Sequence, residues 1–590
     1  MITKKADFLI EISWEVANKV GGIYTVIKSK AERIVQNYGK NYLMIGPYFE
    51  KNVGVMFEKK EIPEEFAAVI QSMEKEGIKC HFGKWIIDGM SVDTFLVDFR
   101  KHELKANEVK RELWENFKVD SYSSEQLFTD CVAFGNAAGI LIEKLAKVIK
   151  GKKVLHCHEW QAGASILYLK KKGVDIGTVF TTHSTVVGRH LSTEGVNFYD
   201  NLEKIDADKE SYRMKDHAKH LLEKACAKNA DVFTTVSEIT GIEAKHFLGK
   251  KPDVLLLNGL DMSTMPTLEE RSIQHSRFKE QIRRFVVPYF FPYYRFNIKK
   301  TLFYFIAGRY EFQNKGVDVF IESLGELNKL MRKNKSDKTV VAFIWIPAKV
   351  KDIKHDILEN KIAYDGIDHY IDEILPDVKS SIIRDIVRGK MPVTHDLIKG
   401  ESIYELKKKM VGFRKKGKPP VVTHNLENEG KDRILSALNK AGLNNSTQDM
   451  VKVIFYPIYL TGADGLLNMN YSQCIEGSHL GVFPSYYEPW GYTPLETAAL
   501  GVPAVTTDLA GFGRYLMKHK KEKGIFILKR QNRKKTQYVK DLAKYMFDFS
   551  KLDQRGRIEL KLEAKELADM ADWKIMIENY IEAHNKAVSK

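Results

Sequence analysis

The sequence predicts an α/β protein of two doubly wound domains, with a helical insertion in the second. Three observations carry this. The chain has 590 residues and 44% hydrophobic content, more than one hydrophobic core accommodates. Short β-branched and aromatic runs alternate with longer stretches of helical period, the rhythm of parallel strands covered by helices. Residues able to bind anions recur just after those runs, where open parallel sheets place their ligands.

In the first domain, residues 1–258, strands are expected at 8–12, 154–157, 179–182, 232–235 and 254–257. In the second, residues 259–565, they are expected at 302–307, 340–346, 451–456, 481–483, 504–506 and 525–528. Residues from about 349 to 418 are charged, poor in strand formers and helix-periodic in places, which predicts the helical insertion. There is no internal repeat.

Composition excludes several classes. The most aromatic stretch, residues 285–305, is broken by Pro288, Pro292, Arg295, Lys299 and Lys300, so it supplies no membrane span. The start lacks the apolar core of a secretory signal. Five scattered cysteines without a CxxC pair indicate reduced thiols and a cytoplasmic location. The net charge of +16 is spread over short or interrupted basic runs, read here as solvated faces. An anionic substrate suits this charge better than a nucleic acid.

Candidate functional residues follow the strands. Lys19, Gly21 and Gly22 precede a helix-like run, where glycines let backbone amides approach an anion, although a plain tight turn reads equally well. Glu159, His183 and Arg189 all lie downstream of parallel strands, which points to a shared cleft. His156, Cys157, His158 and Glu159 alternate along a strand without a second ligand group, so no metal is expected. Arg309 and Lys315 share one strand-to-helix loop; a guanidinium fork beside an ammonium suits a diphosphate whose charge grows as its bond breaks. In the segment 483–496, Thr493, Pro494 and Glu496 have the spacing of a capping box. Glu488 and Glu496, with Trp490 and Gly491 between them, also place polar groups near that helix start.

The segments "SWEVANKVGGIYTV", "HCHEWQAG", "TTHSTVVGRHL", "FIAGRYEFQNKG" and "FPSYYEPWGYTPLE" resemble those of glycogen synthases of the animal and fungal type, in the same order and over nearly the whole chain. The resemblance implies a GT-B fold, two Rossmann-like domains facing across a cleft, with the C-terminal helix of residues 566–590 returning to the first. It implies transfer of glucose from UDP-glucose to an α-1,4-glucan such as glycogen, with retention of configuration, no cofactor and no metal. His183 is then expected to face the donor glucose and Glu488 its hydroxyls, supported by backbone amides near Trp490 and Gly491. Arg309 and Lys315 stabilise the leaving diphosphate, Glu496 holds the ribose, and Tyr492 and Thr493 lie near the phosphates and base. Lys19, Gly21, Gly22 and Arg189 complete the donor wall, and Glu159 lies on the acceptor side.

A homo-oligomer built through the insertion is also expected. Alternatives are a sucrose- or trehalose-synthase type of acceptor, or a glucan-binding scaffold without catalysis. Relatives read glucose 6-phosphate with an arginine-rich helix. The matching residues 555–565 carry Arg555, Arg557, Lys561 and Lys565, but Glu559 and Glu563 are interspersed, so a weak field and no response are expected.

Overall fold

A computed structural model describes residues 4–87, 89–393, 397–398, 400–519 and 523–589. The first sheet contains β1 (Phe8–Ile12), β2 (Tyr42–Pro47), β3 (Phe57–Lys59), β4 (Lys79–Ile87), β5 (Met90–Asp98), β6 (Lys153–His158), β7 (Gly177–Thr182), β8 (Val232–Thr235) and β9 (Val254–Leu255). Its order is β3-β4-β5-β2-β1-β6-β7-β8-β9. Pairing is parallel from β5 to β9, and antiparallel between β3, β4 and β5.

The strands expected from sequence in this half are all present, but β2 to β5 lie where none was read. The antiparallel edge accounts for β3 to β5, whereas β2 is an apolar, fully buried run between parallel neighbours that the same pattern rule should reveal. The strand β4 reads KCHFGKWII, with lysines and an exposed Ile86 on an edge that needs no continuous apolar run. Its Gly83 lies so close to β3 that a Cβ would meet the Glu58 carbonyl oxygen at 2.2 Å. The central strand β1, by contrast, is covered on both faces, so its Glu11 is fully buried and must be paired.

The second sheet contains β10 (Thr301–Ala307), β11 (Thr339–Trp345), β14 (Val451–Tyr456), β15 (Leu480–Val482), β16 (Ala504–Thr507) and β17 (Ile525–Leu528). It is parallel throughout, in the order β14-β11-β10-β15-β16-β17. The strands β10, β11 and β14 are buried along their whole length, as continuous apolar runs in a doubly covered sheet require.

The remaining strands, β12 (Val350–Ile353) and β13 (His424–Leu426), form an antiparallel pair. Between them the helices His355–Val387 and Gly400–Phe413 project as a hairpin, joined by contacts such as Lys409 over the Tyr370 ring at 5.5 Å.

The chain passes between the two sheets twice. Leu260 donates its N–H to the Ala571 carbonyl at 2.9 Å, and Trp573 returns one to Leu260 at 3.1 Å. Beyond this clasp, the helix Trp573–Ala587 lies on the first sheet. Its Trp573 Nε1 donates to Ser29 Oγ at 3.0 Å, and its His584 Nδ1 meets the Tyr38 hydroxyl at 2.9 Å.

Candidate active site

The loop after β1 runs into the helix Gly22–Tyr38. Here the turn is closed from within its own loop. The Glu15 carboxylate already accepts the backbone N–H groups of Gly21 and Tyr24, each at 2.8 Å, so amides expected to meet a ligand anion are held by a carboxylate of their own loop. A Cβ on Gly21 would lie 2.9 Å from Glu15 Oε1, which explains glycine there. Lys19 is exposed and has no ion pair among the described residues. Burial raises the Glu15 pKa, while the two N–H groups, Arg189 and Arg309 lower it. Arg189 from the first sheet and Arg309 from the second therefore act on one carboxylate.

After β6, Glu159 has φ +64°, a strained backbone for a non-glycine residue. Its carboxylate accepts the N–H groups of His183 at 2.8 Å and Ser184 at 3.2 Å. Ser184 Oγ in turn accepts from Arg189 Nε and Nη2 at 3.0 and 2.8 Å. Glu159, His183 and Arg189 are thus joined through one turn. Burial pushes Glu159 up to about 7, opposed by these N–H groups and Arg189.

Behind His183 lies a buried polar cluster the sequence reading did not assemble. Glu11 accepts from Lys30, from His158 Nε2 at 2.6 Å and from the Tyr42 hydroxyl at 2.5 Å. His158 Nδ1 meets His183 Nε2 at 3.0 Å. Donor atoms of Glu11, His156 and His158 lie within 4.8 Å of one another. They are already engaged, since His156 also meets Thr181 Oγ1 at 2.7 Å and His584 at 3.2 Å.

On the second sheet, the loop after β10 carries Arg309 and Lys315. Arg309 is exposed and pairs with Glu311 at 2.9 Å. Lys315 Nζ pairs with Glu488 Oε2 at 2.5 Å, both side chains being 15% exposed. The two loops can touch because Gly316 has φ +68° and no Cβ, which would otherwise sit 2.0 Å from the Pro484 carbonyl. Arg530, unmarked in the sequence, donates to that same carbonyl and stacks over Tyr538 at 4.8 Å.

The helix Tyr492–Ala499 begins at Gly491, whose φ of +113° leaves it without a side-chain cap. Thr493 and Pro494 lie inside the first turn, so the expected capping box is not formed. The loop before it is held instead by backbone bonds, Phe512 N–H to the Trp490 carbonyl at 2.7 Å and Gly511 N–H to Glu488 at 3.1 Å. Glu496 is partly buried, has no hydrogen-bond or ion-pair partner among the described residues, and is pushed up to about 7 by burial alone. Trp490 packs inward on Phe512 and Tyr515, leaving only its backbone for a ligand. Tyr492 is partly buried on the same helix.

Tyr486 and Tyr487, just before Glu488, stitch the two sheets together. Tyr486 accepts the Phe198 N–H at 2.7 Å and donates to Asn197 at 3.0 Å. Tyr487 and Tyr199 donate to the two oxygens of Glu243 at 3.0 and 3.1 Å. Burial pushes Glu243 from 4.5 up to about 7 despite these donors. A carboxyl with a raised folded pKa contributes stability that is complete below about pH 4.5 and is lost as pH rises to about 7. Glu243→Gln is therefore expected to flatten the fall in melting temperature between pH 5 and 8, by at most about 3 kcal/mol of stability. Parallel curves for variant and parent would contradict this.

Residues 11–590 match the family profile described as Glycogen synthase. The chain belongs to the glycogen synthase family. The liver glycogen [starch] synthase of Homo sapiens is 37% identical over 587 residues, covering 99% of this chain and 83% of the human protein. The glycogen [starch] synthase of Neurospora crassa is 36% identical over 595 residues, covering 99% and 84%. Among solved structures, the catalytic domain of starch synthase IV from Arabidopsis thaliana, bound to ADP and acarbose, matches with a TM-score of 0.54 at 14% identity, covering 99% of this chain and all of that one. The fold is accordingly GT-B, and this glycogen synthase family member is a glycosyltransferase. Among the described residues no helix is long and apolar enough to cross a membrane.

A cavity of about 840 Å³ lies between the helices Leu268–Phe290 and Gln554–Asp569. Arg271, His275, Lys279, Lys338, Arg557 and Lys561 line it. Glu559 and Glu563 are not among its walls, and Glu559 pairs with the exposed Arg555. Of the four cations named from sequence, Arg557 and Lys561 line the cavity while Arg555 and Lys565 do not; the remaining basic lining comes from other elements, alongside the acidic Glu476 and Asp553. Burial and the neighbouring Lys279 and Arg557 lower Lys561 to about 7.

Proposed function

We propose that this glycosyltransferase moves glucose from UDP-glucose to the non-reducing end of an α-1,4-glucan, with retention of configuration. The observation that carries the reading is the Lys315–Glu488 pair beside Arg309, on loops tied to the turn that bears His183 and Arg189. Donor binding exchanges partners within it: the ammonium turns to the diphosphate and the carboxylate to the sugar hydroxyls. Arg309 and Lys315 then offset the charge that develops as the anomeric C–O bond breaks. The acceptor hydroxyl attacks from the leaving-group face and gives its proton to the departing phosphate oxygen, so configuration is retained without the opposed carboxylate pair of a retaining glycosidase. Side chains and backbone amides alone supply the chemistry, with no metal and no cofactor.

His183 faces the glucose, with Arg189, Gly21, Gly22 and Lys19 along the first wall. Tyr492 and Thr493 flank the phosphates and base, and the backbone at Trp490 and Gly491 supports Glu488. Glu159 holds the His183 turn from the acceptor side. Glu496 takes the ribose hydroxyls, for which its unpartnered carboxylate is suited. Glu496→Gln is expected to weaken UDP binding about tenfold by calorimetry without lowering the melting temperature, since this residue caps nothing and its buried carboxyl, raised to about 7, gives no stability at neutral pH. Unchanged affinity would remove the ribose role.

We read the first domain as ending near residue 258 and the protein as cytoplasmic, its five cysteines being free and buried. We also read it as a homo-oligomer joined through the helical hairpin, where Ile383 and Ile386 are 51% and 59% exposed, more apolar surface than an isolated helix pair needs to show. Sedimentation should show a smaller species for Ile383→Lys with Ile386→Lys. The parent's size in that double variant would contradict it.

A further inference from the structure

The cluster behind His183 has a fixed proton order. Glu11 and Lys30 are fully buried and paired, and Lys30, His158 and Tyr42 surround the Glu11 carboxylate. Opposed only by burial, Lys30 and His158 hold Glu11 well below the usual carboxylate range, so it accepts hydrogen bonds and donates none. Burial likewise keeps His158 and His183 neutral, each with a single ring proton.

One carboxylate then decides both rings. His158 Nε2, 2.6 Å from Glu11 Oε1, must carry the proton it donates. His158 Nδ1 is therefore bare, and its 3.0 Å contact must be a bond donated by His183 Nε2–H. That leaves His183 Nδ1 with a lone pair and no hydrogen-bond partner among the described residues. The reverse order would require Glu11 to donate a proton, which the adjoining Lys30 cation forbids.

We propose that Glu11 and His158 are positioning residues for His183, fixing its proton on Nε2 so that Nδ1 accepts a hydrogen bond from a hydroxyl of the transferred glucose. This rests on the reading that His183 faces the donor sugar. The device suits a glucosyl transfer in two ways. A bare Nδ1 requires a hydroxyl hydrogen and discriminates against a donor lacking it. A ring held neutral also adds no positive charge beside a sugar that becomes cationic in the transition state. The strand order makes the relay possible, since β1, β6 and β7 are adjacent in the sheet and supply Glu11, His158 and the turn to His183. The separate chain from His156 to His584 and Tyr38 backs the relay from behind, His156 stacking on His158 at 4.3 Å.

The test is ¹⁵N NMR of the full chain labelled at histidine, with His183 assigned by its loss in His183→Gln. The expected spectrum has a protonated Nε2 and a bare Nδ1 on His183. His158→Phe keeps the ring stacking but removes the acceptor, so His183 should lose its single tautomer. In the same variant kcat/KM for UDP-glucose should fall between about tenfold and a hundredfold, while affinity for UDP, which has no glucose, stays at the parent value. A proton on Nδ1 of His183 in the parent protein overturns the proposal, and so does a parent-like spectrum with parent-like kcat/KM in His158→Phe. If His158→Phe does not fold, the parent spectrum alone still decides. The proposed tautomer in a parent protein that transfers no glucose would overturn the donor-facing role instead, leaving the relay intact.

Discussion

Replacing Lys315 by alanine is expected to lower turnover about a hundred- to a thousandfold while moving the melting temperature little. Removing one preorganised group that stabilises developing negative charge typically costs about 3 kcal/mol in the transition state. Stability should barely respond, because a partly exposed ion pair such as Lys315–Glu488 contributes about 1 kcal/mol or less. Ser485 Oγ, 3.4 Å from the same carboxylate oxygen, remains as a partner. Arg309→Ala should act in the same direction with a still smaller effect on folding, since its side chain is 66% exposed. Steady-state kinetics with thermal melts of both variants check this. Near-normal turnover in both, at unchanged melting temperature, would remove the diphosphate assignment.

The largest expected loss of stability follows Glu11→Ala. Lys30 would be left as an unpaired cation at zero exposure, and the Tyr42 hydroxyl and His158 Nε2 would lose their acceptor. Breaking a buried pair from one side costs about 3–5 kcal/mol, which lowers the melting temperature by about 10 °C in a domain of this size. Removing both charges together, as Glu11→Gln with Lys30→Met, should restore much of that loss, because the penalty comes from the stranded charge more than from the missing attraction. A Glu11→Ala protein as stable as its parent would show that Glu11 and Lys30 are not the buried pair described.

What the sequence revealed and what it hid follow from chain distance. Arg309 and Lys315 stand six positions apart in one loop, and Glu488 and Glu496 flank one helix start, so local spacing exposed them. Every strand of the second sheet was legible because doubly covered parallel strands read as unbroken apolar runs. The strands β3 to β5 were not, since an antiparallel edge tolerates the lysines and glycine of β4, while β2, an apolar and fully buried run, fits the same rule and was passed over. Glu11 lay in plain view as a charge inside an apolar strand, but its partners at 30, 42 and 158 are brought to it only by the fold. The same holds for Glu15, whose hold on Gly21 and Tyr24 spans six and nine residues. The capping box failed for a local reason: Gly491 enters the helix in a left-handed conformation and takes the position the threonine was expected to fill.

Glucose transfer to glycogen is the central claim, and one assay addresses it. Purified protein is incubated with glycogen and UDP-glucose labelled in the sugar, and both the polysaccharide and the released nucleotide are quantified, with ADP-glucose run in parallel. The account predicts label in the polysaccharide equal to the UDP released, with the new residues removable by an exo-acting enzyme specific for α-1,4 links. A folded protein that releases no UDP, or that leaves all the label in a small disaccharide, would contradict it.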